Sequence, residues 1–187
     1  KWINVLNPST EEVISLMPDG TAEDARKAIE AAEQAQPAWE RTPAIQRAAY
    51  LRKIAEGIRA REAELTDIIV REGGKTQGLA NVEVLFTADY LDYMAEWARR
   101  YEGEIVQSDR PNESIFVFKR PIGVTTGILP WNFPFFLIAR KAAPALVTGN
   151  TIVIKPSQLT PENAYVFAQI VAESGLPKGV FNLVNGR

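Results

Sequence analysis

Two short segments carry side chains placed to do chemistry. The first is Pro130-Trp131-Asn132-Phe133-Pro134, in which prolines bracket an asparagine. Proline fixes φ and stiffens a turn, and a stiff turn can aim a side-chain amide at a ligand. The Asn132 amide is neutral at every pH and offers an N–H donor suited to a developing oxyanion beside a helix N-terminus. The same residue could instead cap the helix that follows, with its aromatic neighbours packed beneath it. The second segment is Ile152-Val153-Ile154-Lys155-Pro156-Ser157-Gln158. A lysine at the end of such an apolar run can donate to a ribose hydroxyl or a phosphate, or it can be a plain surface lysine at an edge.

What the composition lacks narrows the chemistry further. The 187 residues include no Cys and no His. That excludes the Ser-His-Asp triad, the Cys-His dyad, thiolate metal sites and the usual His-based zinc and iron sites within this chain, so no metal site is expected. There is no G-x-G-x-x-G and no Walker sequence. The 21 Lys+Arg and 23 Asp+Glu give a net charge of −2 with the signs interleaved, which argues against a nucleic-acid partner. The longest apolar stretch, Trp131 to Ala139, is far too short to span a membrane, so no membrane partner is expected. Residue 1 is Lys, with no signal-peptide pattern after it, and the natural start is expected to lie elsewhere. A chain without thiols fits a reducing cytosol, and a cytoplasmic location is the expectation.

The elements that must position these segments can be read from periodicity. Residues 1–20 alternate around Trp2, Val5, Val13, Ile14 and Leu16, with Asn7-Pro8-Ser9-Thr10 between, which predicts a hairpin. Thr21 with Glu23-Asp24 opens a helix that the reading ends at Pro37. Thr42-Pro43, read as cap plus first-turn proline, starts a second helix with a stripe of Ile45, Ala48, Leu51, Ile54, Ala55 and Ile58. Leu65, Ile68 and Ile69 belong to a third, ended by Gly73-Gly74. A fourth carries Phe86, Tyr90, Met94, Trp97 and Tyr101, read as its core-facing side. Glu104–Ser108 and Ser114–Lys119 predict a two-stranded arm whose apolar surface needs something to pack on, such as another subunit.

From Pro121 the pattern alternates: strand Gly123–Leu129, helix Phe135–Leu146, strand Thr151–Ile154, helix Pro161–Glu173 with a Thr160 cap, and strand Val180–Val184. This predicts parallel βαβ units and an α/β fold, Rossmann-like without the glycine fingerprint. Three regions follow: 1–102, hairpin and helices; 103–120, the arm; 121–187, the first half of a parallel sheet. Open parallel sheets bind ligands at the carboxyl ends of their strands, where both chemical segments lie.

The combination of Pro130-Trp131-Asn132-Phe133-Pro134, Ala142-Ala143-Pro144-Ala145-Leu146, Gly149-Asn150-Thr151 and Ile154-Lys155-Pro156-Ser157 resembles the NAD(P)-dependent aldehyde dehydrogenase superfamily. Asn7-Pro8-Ser9-Thr10-Glu11-Glu12 near the start and Gly175-Leu176-Pro177-Lys178-Gly179-Val180-Phe181-Asn182 near the end also fit, so the resemblance covers the whole chain. Within the superfamily, the segments 89–104 and 131–141 are most similar to the bacterial lactaldehyde and glycolaldehyde dehydrogenases.

That resemblance implies oxidation of a small polar aldehyde to its acid, through a cysteine thiolate that attacks the aldehyde and a hydride passed to nicotinamide. It implies that Asn132 stabilises the oxyanion, and that Ile128, Leu129, Pro130 and Trp131 line the cofactor cleft. Lys155 matches the lysine on the adenosine ribose, with Pro156 and Ser157 beside it. Gln158 stands where NAD-preferring members usually carry Glu, so NAD is the expected cofactor with weakened discrimination against NADP. Phe133 is implied to wall the aldehyde pocket and Arg140 to contact a polar substrate, a reading favoured over a surface residue paired with an acid. The arm matches the family's oligomerisation element, implying a homo-oligomer, dimer or tetramer. The family's catalytic cysteine, general-base glutamate and second cofactor motif lie further along a longer chain. These 187 residues, ending at Asn185-Gly186-Arg187, are therefore expected to be an N-terminal portion without the catalytic domain, inactive alone. Two other readings fit: a non-catalytic α/β module that only binds partner chains, and a semialdehyde dehydrogenase of the same superfamily. Acyl-phosphate reduction is disfavoured by the Trp131-Asn132 pair.

Overall fold

The computed structural model describes residues 1–187. Strands β1 (Trp2–Leu6) and β2 (Val13–Pro18) form the expected antiparallel hairpin and turn Ile3, Val5 and Met17 inward. Helix α1 (Ala22–Arg41) starts as the sequence predicts: Thr21 and Asp24 form a reciprocal capping box. Its end differs, because α1 continues through Pro37 to Arg41. Pro37 sits on the exposed side of the helix, where water can serve the carbonyl that the missing N–H abandons. Two residues on, Trp39 is buried and donates from Nε1 to the Leu146 carbonyl at 3.1 Å. Tertiary anchoring by the indole outweighs the proline.

Helix α2 (Ala44–Ala60) begins one step later than the sequence suggests. The Thr42 hydroxyl bonds backward to the Ala38 carbonyl at 3.1 Å, so Thr42 closes α1 and does not cap α2. Helix α3 (Glu62–Gly73) ends at Gly74, whose φ of 64° is the left-handed cap that a glycine there implies. Helix α4 (Gln77–Ala95) passes into a 3-10 turn, Glu96–Arg99.

The aromatic stripe of α4 lies only partly on its core side: Tyr90 and Met94 pack half-buried against the core, while Phe86 and Trp97 do not. Ala80, Val84, Ala88, Leu91 and Ala95 are buried, whereas Phe86 is 52% and Trp97 36% exposed. Helix α4 packs against α2, α3 and, further along the chain, α5 (Phe136–Val147). Close approach of helices favours small residues at the contact, so the bulky rings take the neighbouring stripe. There Phe86 and Tyr90 meet Phe136, with ring centroids 4.6 and 5.5 Å apart.

The arm is present as β3 (Glu104–Gln107) paired antiparallel with β4 (Ser114–Val117), and every residue of both strands is exposed. Beyond it, β5 (Val124–Ile128), β6 (Thr151–Lys155) and β7 (Phe181–Leu183) make a parallel sheet in the order β5-β6-β7. Helix α5 joins β5 to β6, and α6 (Glu162–Glu173) joins β6 to β7. The right-handed crossover rule puts both helices on one face, and α2 packs on both. The central strand is buried along Thr151–Ile154, as a strand covered on both faces must be. Ile152 and Ile154 enter the main core of 31 residues with α2–α6. Thr151 points to the other face and donates to the Ala32 carbonyl of α1 at 3.0 Å. At Gly179, φ is +83° and an added Cβ would lie 2.5 Å from the Ala31 carbonyl; only glycine lets α1 dock on the turn before β7.

Two buried charged residues tie helix ends together. Arg47 on α2 donates to the carbonyls of Glu40 and Thr42 at the end of α1 and of Val147 at the end of α5, and to the Tyr101 hydroxyl. Glu72 on α3 performs the cap expected of Thr160. Its carboxylate accepts from the Glu162 and Asn163 backbone N–H groups at 2.8 and 3.0 Å, and from the Asn163 amide. The Thr160 hydroxyl is buried without a partner.

Candidate functional site at the carboxyl ends of two parallel strands

The parallel register pairs Ile128 with Lys155, and the Leu129 N–H donates to the Lys155 carbonyl at 3.0 Å. The two segments singled out by their chemistry therefore leave the sheet side by side. Leu129 and Pro156 are buried and anchor them, while Ile128, Pro130, Trp131, Asn132, Phe133 and Gln158 are exposed and Lys155 and Ser157 half-buried. Trp131 and Gln158, 27 positions apart in sequence by their numbering, share a cavity of about 420 Å³ with Leu159, Thr160, Glu72 and the hairpin residues Asn4, Leu6 and Pro8.

The first loop is held from outside itself. No side chain at the start of α5 caps it. Instead Glu83 of α4, fully buried, accepts from the Phe135 and Phe136 N–H groups at 2.9 and 3.1 Å. Glu83 also pairs with Lys75, whose ammonium donates to the Asn132 carbonyl at 3.0 Å and lies 4.0 Å from the Phe133 ring centroid. The role of helix cap, one of the two left open for Asn132, is thus taken by Glu83, and Asn132 is an exposed residue.

In the second loop, the Ser157 hydroxyl accepts from the Leu159 N–H at 3.2 Å and the Ser157 carbonyl from the Thr160 N–H at 3.3 Å, forming a tight turn. The Lys155 ammonium donates to the Pro156 carbonyl at 3.3 Å. An ammonium has three N–H donors, so Lys155 retains capacity for hydroxyl or phosphate oxygens. The neighbouring Ser157 hydroxyl and Gln158 amide add further polar groups at this strand end.

Arg140 belongs to a different group. It is exposed on α5, one turn past Phe136, and its charge acts on Tyr90, whose hydroxyl pKa is raised because burial pushes it up by more than the Arg140 charge lowers it. Phe86, Tyr90, Phe136 and Arg140 thus form an aromatic wall with one cation, separate from the cavity at Gln158. Lys75, Glu83 and Glu72 do not stand out in the sequence. The available signal was a charged residue inside an apolar run, Val82-Glu83-Val84, and a lysine directly after a glycine pair.

The aldehyde dehydrogenase family model matches residues 1–187. The chain is 74% identical over 186 residues to lactaldehyde dehydrogenase of Escherichia coli (strain K12), covering all of this chain and 39% of that protein. It is 41% identical over 187 residues to D-glyceraldehyde dehydrogenase (NADP(+)) of Thermoplasma acidophilum, covering 38% of that protein. The crystal structure of lactaldehyde dehydrogenase from Escherichia coli superposes with a TM-score of 0.99 at 73% identity, over all of this chain and 39% of that one. The chain therefore spans about two fifths of the length of the relatives it matches.

Proposed function

The chain belongs to the aldehyde dehydrogenase family, and from that premise we propose that it forms the cofactor-side, N-terminal portion of an NAD(P)-dependent enzyme oxidising a small polar aldehyde, of the lactaldehyde or glycolaldehyde type, to its carboxylic acid. The observation that carries this reading is the freedom of the Asn132 amide. Its main chain is fixed by Lys75, and the helix end it might have capped is occupied by Glu83. A neutral donor so placed hydrogen-bonds the aldehyde oxygen more strongly as negative charge develops on it. Phe133 walls the aldehyde, and the Phe86–Tyr90–Phe136–Arg140 group gives a polar substrate an aromatic approach with a cation for its hydroxyl or carboxylate end.

Lys155, Ser157 and Gln158 would hold the adenosine ribose, with Ile128, Leu129, Pro130 and Trp131 along the cleft. A bound nicotinamide would supply the hydride acceptor. The chain has no Cys, so the nucleophile must come from elsewhere in the polypeptide. By the region limits read from sequence, 103–120 is an oligomerisation arm in a cytoplasmic homo-oligomer.

The test is NAD(P)H formation from glycolaldehyde and lactaldehyde by the full-length polypeptide carrying this segment. Asn132→Ala is expected to lower kcat by about 10²–10³-fold while leaving cofactor affinity unchanged. An unaffected kcat would remove Asn132 from the reaction.

A further inference from the structure

We infer that Lys75 and Glu83 form a clasp that positions Asn132, so that these two residues, far from it in sequence, set the rate of the chemical step through it. The inference rests on the role proposed above for Asn132.

The clasp is built from the sequence upward. Gly74, in the left-handed conformation, turns the chain out of α3 and delivers Lys75 toward the Trp131–Pro134 turn. The Lys75 side chain is 11% exposed and that of Glu83 is 0% exposed. Their contacts divide between the two ends of one short segment. Lys75 binds the carbonyl of Asn132 and the face of Phe133, and one carboxylate oxygen of Glu83 binds the first N–H groups of α5 at Phe135 and Phe136. The other carboxylate oxygen of Glu83 meets Lys75 and closes the loop. Between the Asn132 carbonyl and the Phe135 N–H lie only Phe133 and the rigid Pro134. The peptide plane from which the Asn132 side chain departs is thereby fixed relative to both α4 and α5.

Stability alone gives no reason for this arrangement. A buried ion pair costs desolvation that well-packed apolar residues of the same volume avoid, and α5 could have been capped by an Asn or Ser of its own turn. What an external clasp adds is geometric definition of the exposed amide. Displacing a reacting group by about 1 Å can cost about 10²-fold in rate. The polar atoms of Lys75 and Glu83 are spent on each other and on the loop, so the two are assigned as positioning residues.

The experiment is a double-mutant cycle in the full-length enzyme, reading kcat, aldehyde KM, cofactor Kd and melting temperature. Lys75→Met keeps the aliphatic stem over Phe133 but removes the donor to Asn132. It is expected to lower kcat about ten- to hundredfold, with cofactor Kd within about twofold. Lys75→Arg, which keeps charge and donors, should recover most of the rate. The decisive arm is the Asn132→Ala background, where Lys75→Met should slow the enzyme no further, because the clasp has nothing left to aim. Multiplicative losses in that background, or a Lys75→Met enzyme as fast as the parent, overturn the inference and leave the role of Asn132 standing. A single Asn132→Ala variant of normal rate refutes the role of Asn132, and the inference with it. If Lys75→Met does not fold, Lys75→Gln takes its place in the cycle. Glutamine is neutral but can donate to the same carbonyl, so it should lose less rate than Met would, and again lose nothing further in the Asn132→Ala background; multiplicative losses there overturn the inference.

Discussion

Gln158 shows how much a single position can decide. It is exposed at the mouth of the cavity it shares with Trp131, next to the lysine and serine proposed to hold the ribose. A carboxylate at that position accepts from a ribose 2′-hydroxyl and repels a 2′-phosphate; an amide keeps an acceptor and loses the repulsion. Gln158→Glu in the full-length enzyme is therefore expected to raise the Kd for NADP about tenfold or more, since like charges at contact cost more than the roughly 1.4 kcal/mol that a factor of ten represents. NAD binding should change little. Equal losses for both cofactors, or none, in a fluorescence titration would show that Gln158 does not read the 2′ position. Asn132, Lys155 and Gln158 could be singled out as candidates from the sequence because each lies at or just beyond the carboxyl end of an expected strand. Lys75, Glu83 and Glu72 could not, because a charged residue in a helix or a short connection reads as solvated unless its partner is known. Glu83 finds its partner 52 positions away and Glu72 about 90.

Elements were legible wherever local chemistry governed them, and were misread at their ends wherever another element took over. The capping box of α1, the glycine stop of α3 and the three parallel strands follow from nearby residues. The extension of α1 past Pro37 needs Trp39 to reach Leu146, and the start of α6 needs Glu72 rather than Thr160. That borrowed cap has a measurable consequence. Burial pushes the Glu72 carboxyl from 4.5 up to about 7, even though Asn163 and the backbone of Glu162 favour its charged form. The folded state thus holds a proton that the unfolded chain has released between about pH 4.5 and 7. Stability contributed by this group is fully present below about pH 4.5 and falls as pH rises through about 7, by about 3 kcal/mol in all at roughly 1.36 kcal/mol per pKa unit. Urea unfolding at about pH 5 and about pH 7.5 should show that decline, and Glu72→Gln should flatten it. An equal decline in the variant would place the titrating group elsewhere.

The molecule as a whole exposes more surface than its size requires. A compact monomer of 20.7 kDa shows about 8,900 Å², whereas this chain shows 10510 Å². The difference, about 1,600 Å², is what a standard protein–protein interface buries in total from both partners. Its apolar part is concentrated. The arm alone presents Ile105, Val106, Ile115, Phe116, Val117 and Phe118, and α4 presents Leu79, Val82, Phe86 and Tyr93, with Trp97 just beyond it. The sheet also has only one neighbour for β5 and one for β7, in a chain about two fifths as long as its relatives. All of these surfaces can be covered within one longer polypeptide; on the proposed reading of 103–120 as an oligomerisation arm, the two-stranded arm packs on a second subunit. Ile105 and Phe116 are directly paired across the arm and are 79% and 59% exposed. Lysine at both positions is tolerated by an exposed strand yet cannot be buried against an apolar partner without a large penalty. Light scattering of full-length enzyme carrying Ile105→Lys and Phe116→Lys is therefore expected to show a smaller assembly than the parent, with unchanged circular dichroism. An assembly of the same mass would mean that the arm lies outside the subunit interface and that its apolar surface must be accounted for by contacts within one chain.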